Sequence, residues 1–317
     1  MRLVFAMCLL PALSLAQRFD AQTATPEALK ARRCWEKTAL ALIGSPSPAA
    51  FGRDDASFPP LFEPQRVPLY FGDSVHHPRF ANRFAGFANS KWQREQGIEK
   101  SQNVPFVIVQ HVVGNGLPWR QVFVGELDVD LAEGRGTVHA SAGGLGYFRV
   151  PAWLRQNAGN EVAGYKLSTA YRMLNNTIGV QLTAAANNTL GDASAVGRSA
   201  PGCTGCHFNG SYPLDLVARV LDRRQGFGAE MTFTPPTDGP QQLFGKTIAD
   251  DKELITLLVS SDAFVFNTCR LAFEFLYGRP ESTCEAPLFD ACVSAFEAGG
   301  TMQSALMGII EHPDYCR

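Results

Sequence analysis

Cys203-Thr204-Gly205-Cys206-His207 sets two thiols three positions apart, with an imidazole directly after the second. Covalent attachment of a c-type haem requires this spacing. Each thiol adds to one vinyl group, and the adjacent imidazole comes up beneath the ring as proximal iron ligand. Gly205 imposes no steric limit on the tight loop between the thiols. With eight Cys and six His in the chain, random placement yields this pattern roughly 0.004 times, so coincidence explains it poorly.

Two other chemistries compete for the same residues. A tetrahedral zinc site wants a second ligand pair, but the chain has neither another Cys-x-x-Cys nor a His-x-x-x-His. A thioredoxin-like disulfide or redox pair wants a preceding apolar strand, whereas 194–202 reads as a polar, Gly-containing loop. The haem reading makes Cys203 and Cys206 the attachment points and His207 the metal ligand.

Downstream, 213–224 reads as an amphipathic helix with Leu214, Val217, Val220 and Leu221 inward. Its Arg219, Arg223 and Arg224 suit haem propionates, or equally a solvated basic helix end. A low-spin iron needs a second strong-field ligand. Met231, in the irregular segment 228–245, is the first candidate for that metal position; His76, His77, His111, His139 and an open position are the alternatives. Met302 and Met307 read as core of a late helix. Upstream, 184–202 turns to Ala, Asn, Ser and Gly, which predicts a domain boundary near 190.

At the start of the chain, Arg2 precedes an apolar run from Leu3 to Ala16, the pattern of a secretory signal peptide over 1–16. No segment offers about 18 uninterrupted apolar residues, so no membrane span is expected. Export to the periplasm or medium agrees with haem attachment and with lasting disulfides. The formal charge of −2 gives no overall field for nucleic acid. Charged residues are only 18%, with 29 Gly and 20 Pro among 317 residues, so irregular structure should separate short helices.

Between 17 and 190 the chain reads as helical, loop-rich and chemically quiet. Thr25-Pro26-Glu27 opens a helix with Leu29, Cys34 or Trp35, Leu40 and Leu42 toward a core. Four prolines over 57–70 impose an extended connection. Phe80, Phe84 and Phe87 share one helical face and suit a core. Val104 to Val113 fits a strand or a buried helix equally. Tyr147 to Leu154 and 166–182 predict two more helices, with Met173 off the apolar stripe of the second.

At the C-terminus, 264–277 is an apolar helix stopped by Gly278 and Pro280; a second runs to Ala298 and a third from Thr301 to near Glu311. Short turns make such helices antiparallel neighbours, and residues equidistant from a turn lie level. That geometry predicts Cys269 with Cys292 and Cys284 with Cys316. Cys34 is left as a buried thiol or in an alternative pairing.

Gly146-Tyr147-Phe148 through Leu154, the haem motif, Asp251 to Phe264, and Cys269 through Leu276-Tyr277-Gly278-Arg279-Pro280 together resemble a bacterial family of exported, cytochrome-like proteins of unknown function. The likeness covers about the last two thirds of the chain, and only the haem motif in it is chemically specific. It implies one covalent haem c per chain and export, but supplies no substrate. The expected fold is mainly α: a loop-rich helical region over 17–190, then a cytochrome c-like helical domain over 191–317 ending in a disulfide-linked three-helix C-terminus. The expected activity is one-electron transfer to a redox protein partner in the cell envelope. A peroxidase-like haem enzyme and a binding module stapled by a structural haem are the alternatives.

Overall fold

A computed structural model describes residues 26–44, 78–92, 103–132, 135–182, 194–209 and 212–316. The expected signal peptide, the proline-rich connection and His76 and His77 lie outside them. The described chain is mainly helical, with three small antiparallel β-hairpins. It divides into two units, one of residues 1–63 with Cys316 and one of 64–315. The boundary expected near 190 falls within the span of the second unit. Among the described residues, no single helix is long and apolar enough to cross a membrane.

In the first unit, α1 (Pro26–Ile43) buries Cys34, Thr38, Ala39, Leu42 and Ile43, which recur at helical spacing. Leu40 falls off that stripe and is exposed, contrary to expectation. Cys34 is bonded to Cys316 with a Cα–Cα distance of 5.4 Å.

The second unit is built around aromatic residues. Helix α2 (Pro78–Trp92) packs on α3 (Val104–Gly114), where Pro105 occupies the first turn and eight of eleven side chains are buried. Burial on nearly every side is why periodicity could not tell this helix from a strand. Phe80 and Phe84 of α2 are buried, and the Phe84 ring lies 5.0 Å from Phe275 and 5.8 Å from Trp119. The short α4 (Gln121–Val124) adds Phe123, whose ring meets Trp92, Trp119, Tyr147, Phe148 and Phe264. Hairpin β1 (Leu127–Ala132) and β2 (Arg135–Ala140) follows. Gly146 then adopts φ +49°, and a Cβ there would overlap the Val122 carbonyl, so only glycine lets Tyr147 enter this cluster.

Helix α5 (Pro151–Asn157) starts four residues later than expected and runs three further, and α6 (Leu167–Ile178) starts close to expectation but ends at Gly179, short of the expected 182. Met173 is buried on α6 despite its predicted position off the stripe. Arg149 makes a two-point ion pair with buried Asp251 (3.1 and 2.5 Å), joining segments 102 residues apart. Lys166, at the cap of α6, is 2% exposed with its Nζ 5.0 Å from the Phe233 ring centre.

After α7 (Ala195–Arg198) and α8 (Leu214–Arg219) the sequence expectation needs correction. The helix predicted to reach Arg224 stops at Arg219, and Arg223 begins β3 (Arg223–Gln225), paired with β4 (Thr232–Thr234). The Arg224 N–H donates to the Gly164 carbonyl, and Arg223 donates to Asp238 and to the Ala163 carbonyl. These tertiary bonds outweigh helix continuation. A third hairpin, β5 (Gln241–Leu243) with β6 (Lys246–Ile248), leads into α9 (Asp251–Leu258), N-capped by Asp250.

The last three helices are α10 (Asp262–Tyr277), α11 (Ala286–Gly299) and α12 (Met302–Ile310), close to their expected bounds. Gly278 at φ +69° ends the first, a Ser282–Glu285 capping box precedes the second, and Thr301 caps the third. The Trp119 N–H donates to the Gly300 carbonyl, and Gln303 donates to the Val113 carbonyl, fastening this end to α3 and α4. Met302 is buried as expected, whereas Met307 is only half-buried.

Cys269 and Cys292 are bonded as predicted, with Cα atoms 5.8 Å apart. The second predicted pair is incorrect, because Cys316 takes Cys34 and Cys284 is a free, exposed thiol. The levelling argument holds only along straight rods. Cys269 and Cys292 both lie inside helices, whereas Cys284 sits in the 3₁₀ turn before α11 and Cys316 lies six residues beyond α12. Non-reducing peptide mapping is expected to link Cys34 to Cys316, with Cys284 open to alkylation in the folded protein. A Cys284–Cys316 peptide would contradict this arrangement.

Candidate functional site

The haem-type motif lies in a short, self-bonded turn. Ser194 caps α7, its Oγ accepting from the Gly197 N–H at 3.3 Å, and the chain continues past Arg198 into a turn. The Ala200 carbonyl accepts from the N–H groups of both Cys203 and Thr204, and the Cys203 carbonyl accepts from those of Cys206 and His207. Residues Gly205–Asn209 form a single π-helical turn, a conformation frequent at functional sites. Asn209 Nδ2 donates to Thr204 Oγ1 and closes it. A Cβ on Gly205 would meet nothing within 4 Å, so there is open space beside the loop between the thiols.

Cys203 and Cys206 are free and exposed, while four other cysteines are joined in disulfides. His207 is half-buried and held from one side. Its Nδ1 lies 2.7 Å from Oδ2 of Asp215, in the first turn of α8. A carboxylate only accepts, so the proton sits on Nδ1 and the Nε2 lone pair is left for a metal.

Asp215 is itself held. Arg198 donates to it through Nε (3.0 and 3.2 Å) and Nη2 (2.8 Å), a forked ion pair with both partners buried. Burial works against the Arg198 charge. The hydrogen bonds it donates to Asp215 and the charges of Asp215 and Glu161 outweigh it and hold the guanidinium above its ordinary pKa. Glu161 lies 3.4 Å from Arg198 Nη2, and its own second oxygen accepts from the Ala163 N–H. Four alternating groups, Glu161, Arg198, Asp215 and His207, therefore form one chain ending at Nε2.

No protein-family model, curated protein or solved structure matches this chain.

Of the three candidate propionate partners, Arg219 lies beside the motif, its guanidinium carbon 5.9 Å from the centre of the adjacent Phe208 ring. Arg223 and Arg224 are committed elsewhere, to Asp238 and to the backbone of Glu161 and Gly226. Met231 sits half-exposed where a 3₁₀ turn passes into β4. Among the described residues, no hydrogen bond or ring contact joins it to the motif. His111 lies on α3, its imidazole held below the ordinary pKa by burial, and His139 lies exposed on β2 beside Asp130. Among the described residues, no three His, Cys, Asp or Glu side chains converge to hold a bare metal ion.

Sequence reading missed Asp215, Arg198 and Glu161. The available signal was faint: an acidic residue in the first turn of a helix is an ordinary dipole partner. What sets Asp215 apart is that it is buried while neighbouring Leu214 is only half-buried, the reverse of the amphipathic expectation. Phe244 was missed as well. It holds φ +52° in the two-residue turn of the third hairpin, an uncommon conformation for a bulky side chain, with its ring 6.3 Å from that of Tyr212.

Proposed function

We propose that this chain is an exported mono-haem c-type cytochrome that passes one electron at a time. The supporting observation is the pairing of two exposed, unbridged thiols at Cys203 and Cys206 with a His207 imidazole whose Nδ1 is already engaged by Asp215. Those residues suit the group: the thiols are free for thioether bonds, and the imidazole presents Nε2. When bound, a haem supplies an iron that cycles between ferrous and ferric. The protein's part is to fix the ring by two sulfurs, orient the proximal imidazole and set its donor strength. Two disulfides agree with an oxidising compartment, and a signal peptide over 1–16 provides the route. The partner is a redox protein of the cell envelope. Met231 is retained as distal ligand by its position in the sequence.

A peroxidase-like enzyme is the second reading, favoured by the carboxylate on His207, since a strongly donating proximal ligand also suits an iron with an open position. Absorption spectra in both redox states decide between them. An electron carrier is expected to be low-spin and indifferent to carbon monoxide, and Met231→Ala is expected to abolish that signature. A high-spin iron that binds carbon monoxide would favour the enzyme, and an unchanged Met231→Ala spectrum would remove Met231 as ligand.

A further inference from the structure

Asp215 offers its Oδ2 to both His207 Nδ1 (2.7 Å) and Arg198 Nε (3.0 Å), and is 4% exposed. A buried carboxylate bonded to a ring N–H pushes negative charge onto the imidazole and makes Nε2 a stronger donor. A stronger donor favours ferric over ferrous iron. The guanidinium on the same carboxylate pulls the other way, and Glu161, which meets the same Arg198 Nη2, moderates that pull.

We infer that Asp215 is the positioning residue that sets the reduction potential of this centre through His207, with Arg198 and Glu161 as its counterweight. The inference rests on the cytochrome reading. It assigns the tuning to charge relayed along Glu161, Arg198 and Asp215 rather than to the distal side. The direction is low: with Asp215 ionised, the centre is a better electron donor than the same haem on an imidazole bonded to a neutral acceptor.

The test is potentiometric titration of the full-length, haem-loaded protein and two variants. Asp215→Asn keeps the shape of the side chain and an acceptor oxygen but removes the charge. Its ferric preference is expected to fall roughly tenfold, an upward shift of about 59 mV for a one-electron couple. Glu161→Gln, two groups removed, lets Arg198 neutralise Asp215 more fully and is expected to shift the potential in the same direction by less. Loosening of the site would instead admit water, favour the more highly charged ferric state and move the potential down, so the sign separates tuning from damage. If Asp215→Asn fails to fold, Glu161→Gln still reads the direction. Pigmented variants with unchanged or lowered potentials overturn this assignment while leaving the cytochrome reading intact. A wild-type protein carrying no pigment overturns both.

Discussion

Replacing Arg198 with Leu is expected to lower the unfolding free energy by about 3–5 kcal/mol, because it leaves the buried Asp215 carboxylate without the cation that compensates it. The side chains of Arg198 and Asp215 are only 7% and 5% exposed, so water cannot take over the role of the guanidinium. Glu161→Gln is expected to cost less than about 1 kcal/mol, since its 3.4 Å contact with Arg198 is peripheral and Arg198 keeps its forked partner. Urea unfolding of the three proteins measures both. Equal, small losses would show that the Arg198–Asp215 pair is screened and does not hold the motif in place.

Lys166→Met is expected to have the opposite sign. Lys166 is also a buried cation, but the groups around it do not offset its burial. Desolvation is the largest influence on it, the charges of Asp222 and Asp251 only partly compensate, and its pKa is pushed down to about 8. The unfolded chain holds that proton up to an ordinary lysine pKa, so between pH 8 and about 10 the unfolded state binds more protons and wild-type stability rises with pH. Below pH 8 the charged folded form carries the full cost, on the order of 3 kcal/mol. Methionine fills a similar volume without the charge. At pH 7 the variant is expected to melt several degrees higher than wild type, and its Tm should lack the rise above pH 8. A lower Tm at pH 7 would mean that Asp222, Asp251 and the Phe233 ring together make the ammonium a net stabiliser.

The two residues show what a sequence conceals. Nothing in the local composition around Arg198 or Lys166 distinguishes a paired buried cation from an unpaired one. That depends on Asp215, 17 positions on, and on Asp222 and Asp251, 56 and 85 positions on from Lys166. The C-terminal helices were legible for the opposite reason: their caps and stops, Gly278, Ser282 with Glu285, Gly300 and Thr301, act within a few residues of the backbone they terminate. Cys269–Cys292 could be read because both ends lie on helical rods. Cys34–Cys316 could not, because 282 residues separate them and Cys316 lies beyond any rod. The same division runs through the site. Cys203, Cys206 and His207 stand together in sequence, while the carboxylate that orients His207 depends on how α8 packs beside the motif.

Several residues outside the Cys203–His207 motif have a packing role. Gly146 is needed for a left-handed turn under Val122, Tyr147 accepts a hydrogen bond from Asn176 in the core, and Arg149 and Asp251 form one ion pair across 102 positions. Such positions specify a fold rather than a chemistry.

In the proposed cytochrome, Cys203 and Cys206 hold a porphyrin by thioether bonds. Intact-mass measurement of the exported protein after full denaturation tests it directly. The cytochrome account predicts a polypeptide heavier than its amino acids by one haem and still coloured, with both features lost in Cys203→Ser, Cys206→Ser. A colourless chain weighing only its amino acids would contradict it.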